Sequence, residues 1–322
     1  MRIAAISHSC VVAVNQQLFV ALSRIPGVEA VQLLVPANWR NEYTGADQAP
    51  TRLPDVDFPL LQRPVAKPGH VSLHAYRSLP LREWKAFRPD VLYAAQEPWS
   101  LANLQAIWLS RKLGAPLVFH TNQNILKRYP LPFSLFEQFA YRNAGAALAY
   151  SEDARQVMVT KGLKNPSAVV PYAVELSQFF PREAGDSSEA MVLRRSLGIA
   201  DSDFVVGYLG RFVPDKGLET LVRAAARIVA GTAPGDPPLK VLMVGAGPQE
   251  AELRGQIAAL DLAEHFVWTG LVAHEKAGDY LRCMEAFALP SVTMPHWKEQ
   301  FGRVLIEAMA CGIPVIGSNS GQ

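Results

Sequence analysis

Residues 290–322 read PSVTMPHWKEQFGRVLIEAMACGIPVIGSNSGQ, and the rest of the chain can be interpreted from this stretch. Residues 303–310 are good helix formers that stop before Gly312, with Pro314 just beyond. Glycine at a helix end followed by proline is typical of a helix C-terminus. The apolar run VIG at 315–317 then predicts a short buried strand. The stretch therefore predicts a loop, a helix and a strand, as in an α/β sheet.

Two carboxylates, Glu299 and Glu307, lie eight positions apart across the start of this predicted helix. Eight helical positions rotate by roughly 80°, so both acids can face one ligand from neighbouring angles. The N–H groups of Gln300, Phe301 and Gly302 precede the helix and are expected to lack intrahelical partners. Unpaired amides, a small glycine and two acceptors for hydroxyls favour a pocket for a sugar and a ribose. The alternative is a solvated acid pair beside an ordinary helix.

The run EQFGRVLIEAMACGIPVIGSNSG at 299–321 resembles the E-x7-E signature of retaining family-4 glycosyltransferases. The resemblance covers most of residues 200–322 and extends loosely over 1–170. It implies the GT-B fold, in which two Rossmann-like, doubly wound parallel-sheet domains face each other across a cleft. It also implies that Glu299 contacts the donor sugar and Glu307 the ribose. Family members continue beyond the turn at 318–321 with further strand–helix units, so the resemblance implies a shortened second domain.

Length and composition predict two domains in a protein of soluble, globular type. The chain has 322 residues, of which 49% are apolar and 19% charged. No apolar run approaches the ~18 residues of a membrane helix. The start MRIAAIS enters a strand pattern without a signal segment, and the three cysteines are far apart. These features predict a cytoplasmic location, with reduced thiols and no disulfide or zinc framework.

Charge is spread unevenly along the chain. Residues 1–170 contain 18 lysine and arginine residues against 11 acidic ones, and residues 171–322 contain 13 against 18. The balances of +7 and −5 suggest that the first half favours an anionic partner, such as the inner face of a membrane, a phosphorylated lipid or an acidic glycan. Uneven but solvated surface charge is the alternative. No nucleic acid partner is predicted.

A membrane contact could involve the segment LKRYPLPFSLFEQFAYR at 126–142, which mixes basic and aromatic residues. Phe136, Phe139 and Arg142 follow helical spacing, and this favours packing against the core. Docking at a membrane interface is the alternative.

Short apolar strands alternate with helices along both halves, which predicts βαβ units and parallel sheets. The predicted organisation is an acceptor domain at 1–170, a connection at 171–203 and a nucleotide-sugar domain at 204–322. Helices are predicted near 11–24, 79–87, 101–112, 133–142, 152–162, 189–197, 218–229, 249–260 and 275–283. In such sheets ligands bind at the carboxyl ends of the strands.

The segment GRFVPDKG at 210–217 follows the first strand of the second half. Arg211 and Lys216 combine a guanidinium, an ammonium and a helix start, which together suit a pyrophosphate. The segment also resembles the Gly-Arg…Lys-Gly element of the family, which implies diphosphate binding by these two residues. The alternative is two surface cations at a turn.

The segment VLMVGAGPQEAEL at 241–253 reads as strand, glycine-rich turn and helix. Gly245 and Gly247 would allow a phosphate or ribose to approach the backbone. Glu250 stands where a dinucleotide fingerprint has its third glycine, so this motif is weak evidence for NAD(P). The same turn occurs in the family. By resemblance alone, Leu271 and Val272 would contact the base of the nucleotide.

His120 ends the predicted strand PLVFH and is followed by a polar cluster that includes Asn122. At a strand end it could donate to a sugar hydroxyl or carbonyl near the reacting carbon, and the resemblance supports this role. A structural histidine is the alternative. His8, Asn15, Glu97 and Asn122 are predicted on the acceptor side, although the loop from His8 to Asn15 lacks the family's Gly-Gly pair.

No metal and no cofactor are predicted. Asp55-Val-Asp57 and Asp201-Ser-Asp203 match Asp-x-Asp, but short matches are frequent by chance. Histidines and cysteines show no metal spacing. Arg211 and Lys216 would take the place of a cation.

Together these features predict a glycosyltransferase that moves a sugar from a UDP- or GDP-sugar to a hydroxyl acceptor: a glycan, a lipid-linked molecule or a small molecule. Retention of the anomeric configuration is implied by the resemblance. Three alternatives remain open: a nucleotide-sugar binding protein or fragment with little turnover, a nicotinamide-dependent oxidoreductase and a nucleotide-sugar epimerase.

Overall fold

A computed structural model describes residues 1–40, 45–54, 56–182 and 189–321. The chain divides into two compact units, Met1–Pro171 and Tyr172–Gln322. Each unit contains its own parallel sheet flanked by helices.

Unit 1 is built on a seven-stranded parallel sheet with two small antiparallel additions. Its strands are β1 (Arg2–Ser7), β2 (Ala30–Pro36), β3 (Trp39–Arg40), β4 (Asp47–Gln48), β5 (Leu60–Arg63), β6 (Val65–Ala66), β7 (Ala75–Tyr76), β8 (Val91–Ala95), β9 (Leu117–Thr121), β10 (Ala146–Ala149) and β11 (Ser167–Val169). Its helices are α1 (Gln17–Ser23), α2 (Leu81–Phe87), α3 (Leu101–Leu113), α4 (Phe133–Asn143) and α5 (Glu152–Thr160). The sheet order is β11-β10-β9-β8-β1-β2-β5, so the winding reverses between β8 and β1.

Strand β1 shows why this sheet needs helices on both faces. Ala4 and Ile6 pack into one buried cluster, while Ile3 and Ala5 pack into another. A strand with two buried faces reads as a continuous apolar run, as RIAAIS does.

Unit 2 repeats the design with five parallel strands. Its strands are β12 (Phe204–Leu209), β13 (Leu239–Val244), β14 (Phe266–Gly270), β15 (Ala286–Leu289) and β16 (Val315–Gly317). Its helices are α6 (Glu189–Ser196), α7 (Leu218–Gly231), α8 (Glu250–Ala259), α9 (Ala277–Leu281) and α10 (Arg303–Ala310). The order β14-β13-β12-β15-β16 places the reversal between β12 and β15.

The predicted α/β class with two parallel sheets is confirmed. One predicted helix is much shorter than expected: over residues 11–24 only α1 is α-helical, and short 3-10 turns precede it. Asn15 Nδ2 donates to the Ser9 carbonyl and Gln16 Nε2 to the Cys10 carbonyl, both at 2.8 Å. Side chains that bond nearby carbonyls in this way compete with the helical ladder.

Helix α4 forms as predicted, but the prediction that its aromatic residues pack in the core is wrong in part. Phe139 is exposed and Phe136 is only partly buried. The buried positions of α4 are Glu137, Ala140 and Tyr141. An apolar strip on this helix therefore faces solvent.

Candidate active site

The reversal between β12 and β15 decides where a ligand can bind in unit 2. Helices leave these neighbouring strands toward opposite sides of the sheet, which opens a crevice beyond their carboxyl ends. The loop after β12 carries Arg211 and Lys216, and the loop after β15 carries Glu299. The topology thus brings together two motifs that are distant in sequence.

Backbone packing fixes the turn that presents Lys216. Gly217 adopts a left-handed φ of 62°, and a Cβ there would lie 2.1 Å from the Pro290 carbonyl oxygen. The Val292 amide donates to the Asp215 carbonyl at 2.8 Å. Only glycine fits this position, so the Lys216 turn can lie directly against the start of the Glu299 loop.

Lys216 and Glu299 form an ion pair between these two loops. Lys216 Nζ donates to Glu299 Oε2 at 2.6 Å, and the two side chains are 13% and 12% exposed. Ser291 Oγ donates to the same carboxylate oxygen at 2.7 Å. The Lys216 ammonium also lies 5.0 Å from the centre of the Trp297 ring. Sequence reasoning missed Ser291 and Trp297, because only the folded loop reveals their contacts.

Glu307 lies on α10 beside an arginine. Arg303 Nε donates to Glu307 Oε1 at 3.0 Å, one helical turn away. Glu307 is buried, and this burial raises the pKa of its carboxyl, while Arg303 opposes the shift. The carboxylate is thereby oriented before any ligand binds.

Arg211 lies beside the same group of residues. The buried Tyr208 hydroxyl donates to the Arg211 carbonyl at 2.7 Å. Burial raises the pKa of Tyr208. The charge of Arg211 lowers this pKa, and the charge of Glu299 raises it. Arg211 and Glu299 therefore both lie within electrostatic range of one buried tyrosine.

The glycine turn after β13 has a structural purpose of its own. A Cβ on Gly245 would lie 1.9 Å from the Gly210 carbonyl oxygen, and a Cβ on Gly247 would lie 2.3 Å from that of Phe212. These glycines let the β13 turn pack on the backbone of the Arg211 loop. The close approach that the structure shows is between protein segments, and the approach of a phosphate or ribose stays a prediction.

The remaining residues predicted on the donor side border the same edge of the sheet. Gly302 precedes α10 with φ 68°, and its carbonyl accepts from the Leu305 amide at 2.7 Å. Among the described residues, none accepts a hydrogen bond from the amides of Gln300, Phe301 or Gly302. After β14, Leu271 is 74% exposed and Val272 packs partly against the core.

In unit 1, His120 at the end of β9 is buried between two tyrosines. Its Nδ1 lies 2.6 Å from the Tyr93 hydroxyl, and its ring stacks on Tyr150 with centroids 3.7 Å apart. Burial lowers the pKa of His120 to about 4. Its Nε2 is buried as well, and backbone hydrogen bonding at Ala149 and Val170 opposes the shift. The neutral imidazole is thus enclosed by protein atoms.

Glu97 follows β8 and is bonded to the end of β9. Thr121 Oγ1 donates to one carboxyl oxygen, and the backbone amide of Asn122 donates to the other at 3.1 Å. Burial raises the pKa of Glu97 to about 7. The backbone amide of Asn122 therefore helps to hold the Glu97 carboxyl in place.

The loop after β1 meets β8 at the reversal point of the unit 1 sheet. His8 Nδ1 lies 2.9 Å from Gln96 Oε1, and its ring lies 5.0 Å from those of Trp39 and His74. Burial lowers the pKa of His8 to about 4. The Asn15 side-chain amide donates to the Ser9 carbonyl, and its place on the acceptor side stays a prediction.

Neither Asp-x-Asp match forms a metal site in the part of the chain that the structure describes. Asp201 pairs with Arg195 at 2.6 Å, and Asp203 accepts from the Ala200 amide at 2.8 Å. Asp57 is exposed, and Asp55 lies outside the described residues. Within those residues no three metal-ligating side chains gather. Independence from metal stays a prediction.

Family models match both halves of the chain. Residues 12–173 match the model of the glycosyl transferase 4-like domain, and residues 191–322 match that of glycosyl transferases group 1. The chain belongs to the glycosyl transferase 4-like family. This membership favours the glycosyltransferase interpretation of the Gly245 turn over the oxidoreductase one.

Curated relatives of this chain carry the names of two different glycosyltransferases. It is 31% identical over 246 residues to the 2-deoxystreptamine N-acetyl-D-glucosaminyltransferase of Streptomyces fradiae, covering 74% of this chain and 56% of that one. It is 33% identical over 237 residues to the D-inositol 3-phosphate glycosyltransferase of Rhodococcus erythropolis, covering 67% and 50%. The chain spans about half the length of the curated relatives it matches.

Among solved structures, Anabaena Alr3699/HepE in complex with UDP and glucose superimposes with a TM-score of 0.69 at 20% identity. The alignment covers 100% of this chain and 81% of that one. The likeness shows the GT-B fold. In the described ranges, no helix is both long and apolar enough to cross a membrane.

Proposed function

We propose that this glycosyltransferase moves a sugar from a nucleoside diphosphate donor to an acceptor hydroxyl, with retention and without a metal. The observation that carries the proposal is the Lys216–Glu299 ion pair at the reversal point of the unit 2 sheet, with Arg211 on the same loop as Lys216. There, a cation that can bind a phosphate lies next to a carboxylate that can accept hydrogen bonds from hydroxyls.

Each group has a role in the chemistry. The bond between the anomeric carbon and the diphosphate oxygen breaks, a bond to the acceptor oxygen forms, and the proton of the acceptor hydroxyl passes to the departing diphosphate oxygen. Negative charge grows on the departing diphosphate, so Arg211 and Lys216 stabilise the transition state more than the ground state. Glu299 accepts from sugar hydroxyls, while Glu307, oriented by Arg303, accepts from the ribose.

Other predicted residues complete the proposal. The amides at 300–302 face the donor, since the start of a helix favours anionic or polar oxygen atoms. Leu271 and Val272 border the base. In unit 1, His120, His8 and Glu97 form the acceptor side.

Removing either partner of the ion pair tests the site. We expect Glu299→Ala and Lys216→Ala each to abolish transfer, measured as release of UDP or GDP in the presence of acceptor. Glu264→Ala and Lys276→Ala are matched controls, because both side chains are largely exposed in the same unit. Unchanged circular dichroism would show that the variants are folded. Near-normal turnover in both site variants would remove the assignment.

Donor identity can be tested by ligand stabilisation. The structural neighbour that binds UDP and a curated relative named as GDP-mannose-dependent suggest starting with UDP- and GDP-sugars. A ligand at 100 times its Kd stabilises the folded state by about 2.7 kcal/mol. Donor binding by calorimetry without any transfer would favour a binding protein, and interconversion of the sugar without an acceptor would favour an epimerase.

The acceptor proposal follows the names of the relatives. Their acceptors, 2-deoxystreptamine and D-inositol 3-phosphate, are the first small molecules to screen. A glycan or a lipid-linked acceptor is the next class, and a surface feature of unit 1 supports it.

We also propose peripheral contact of unit 1 with an anionic membrane. An exposed apolar strip runs along α3, α4 and the preceding loop: Trp108, Leu126, Leu131, Leu135 and Phe139. Cations border it, with Arg111 5.1 Å from the Phe139 ring centre and Lys112 5.9 Å from that of Trp108. Apolar residues bordered by cations match the interface of an anionic bilayer.

Vesicle sedimentation tests this contact. We expect the protein to pellet with vesicles containing phosphatidylglycerol and to stay in solution with pure phosphatidylcholine. Leu135→Asp should reduce pelleting severalfold, whereas Ile228→Asp, at an exposed apolar position of unit 2, should leave it unchanged. Equal loss in both variants, or no pelleting of the wild type, would contradict the proposal.

A further inference from the structure

A small hairpin in the loop between β15 and α10 brings an aromatic ring to the donor site. The Met294 amide donates to the Trp297 carbonyl at 2.6 Å, and the Trp297 amide donates back at 3.2 Å. Pro295 and His296 form the exposed tip. Trp297 itself is partly buried, and its ring centre lies 5.0 Å from the Lys216 ammonium.

The loop that carries this hairpin is fixed at several points. Ser291, which is buried, bonds the Glu299 carboxylate, and its own carbonyl accepts from the Ser318 hydroxyl. The Thr293 and Ser320 hydroxyls lie 2.9 Å apart. The position of the Trp297 ring is therefore set by the fold of the loop.

Lys216 thus has two kinds of partner within unit 2. One is the Glu299 carboxylate, which neutralises the ammonium charge. The other is the Trp297 ring, which attracts the ammonium through the negative face of its π system and carries no net charge. A carboxylate repels an incoming diphosphate, whereas an uncharged ring does not.

We infer that Trp297 is a positioning residue that holds the Lys216 ammonium in place for the donor diphosphate. This inference rests on the proposed function of the same site. When a donor binds, the Glu299 carboxylate accepts hydrogen bonds from sugar hydroxyls. The Trp297 ring then keeps the Lys216 ammonium at the site and out of solvent. The side chain of Lys216 then loses less conformational freedom on binding, which raises affinity for the phosphates.

The test compares a nucleoside diphosphate with its nucleoside by calorimetry. The probes are UDP with uridine, and GDP with guanosine. We expect Trp297→Leu to weaken binding of the preferred diphosphate by about three- to thirtyfold, the range of a partly to largely desolvated cation–π contact. The affinity for the nucleoside should change less than about twofold, because a nucleoside has no phosphate for Lys216 to bind. Trp297→Phe should recover part of the loss.

A double-mutant cycle separates positioning from general damage to the loop. In a Lys216→Met background, Trp297→Leu should have almost no further effect on diphosphate binding. Phe180→Leu is the matched control, since that ring also lies near a cation, Arg282 at 4.0 Å, in the same unit but outside the loops that carry Lys216 and Glu299. Its diphosphate affinity should equal that of the wild type.

The outcomes distinguish this inference from the proposed function. If the wild type binds neither UDP nor GDP, the proposed function itself fails. If the wild type binds one of them and Trp297→Leu binds it equally well, only the role of Trp297 is overturned. Equal weakening of diphosphate and nucleoside, or an undiminished effect in the Lys216→Met background, would likewise overturn it.

Discussion

His120 is held neutral by its surroundings, and this makes the stability of unit 1 depend on pH. Burial between Tyr93 and Tyr150 lowers its pKa to about 4, from 6.5 in the unfolded chain. As pH falls from about 6.5 toward 4, the unfolded state binds the proton first, so the free energy of unfolding decreases. His120 alone accounts for up to about 3 kcal/mol of this loss.

Urea unfolding between pH 7 and pH 4 measures the effect. We expect His120→Asn to flatten the dependence on pH in this range, even if it lowers stability at pH 7. The lowered pKa values of His8 and His74, about 4 and about 3, should leave a residual slope. An unchanged slope in the variant would contradict a buried neutral His120.

Glu97 makes the free energy of unfolding change with pH in the opposite direction. Burial raises its pKa to about 7, with Glu137 adding to the shift and Lys161 opposing it. The folded state binds the proton more tightly than the unfolded state, so this contribution to stability is full below about pH 4.5 and is lost as pH rises through 7. We expect Glu97→Gln to reduce the fall in stability between pH 6 and 8, measured by the same unfolding series. A steeper fall in the variant would count against this assignment.

At the scale of elements, the turn before α7 depends on one glycine. Alanine at Gly217 would meet the Pro290 carbonyl and would occupy a left-handed conformation, which alone costs about 1–2 kcal/mol. We expect Gly217→Ala to lower stability by at least that amount and to reduce transfer, because the Lys216 turn can no longer lie against the Glu299 loop.

Gly255 provides the matched control. It lies within α8 with open space around its Cα, so Gly255→Ala should stabilise by about 0.5–1 kcal/mol and leave transfer unchanged. Thermal unfolding and donor turnover of the two variants give the comparison. Full activity in Gly217→Ala would show that the close contact is dispensable.

At the scale of the whole molecule, the two units are expected to respond differently to donor. The residues proposed to contact the diphosphate and the sugar all belong to the second unit, Tyr172–Gln322. We expect UDP or GDP, whichever binds, to slow amide hydrogen exchange in residues 210–217 and 290–302, since ligand contacts suppress local opening there. Protection confined to residues 1–171 would contradict the proposal that the nucleotide binds to the second unit.

Much of this architecture can be predicted from short stretches of the sequence. Strand and helix periodicities predicted two parallel sheets, and α10 begins and ends at the residues expected from its composition. Ser151 precedes the predicted helix at 152–162 and caps it, because its hydroxyl accepts from the Ala154 amide at 3.2 Å. Such features depend on neighbours a few positions away, so a single stretch of chain specifies them.

What only the tertiary structure decided depends on residues far apart in the chain. Lys216 and Glu299 are 83 positions apart, and they meet because β12 and β15 are neighbours at the point where the sheet reverses. The positions of Ser291 and Trp297, and the burial that shifts the pKa values of His120 and Glu97, likewise arise from packing. Local sequence determined the elements and the motifs of this chain, and the pairing of its strands determined which of those motifs lie together.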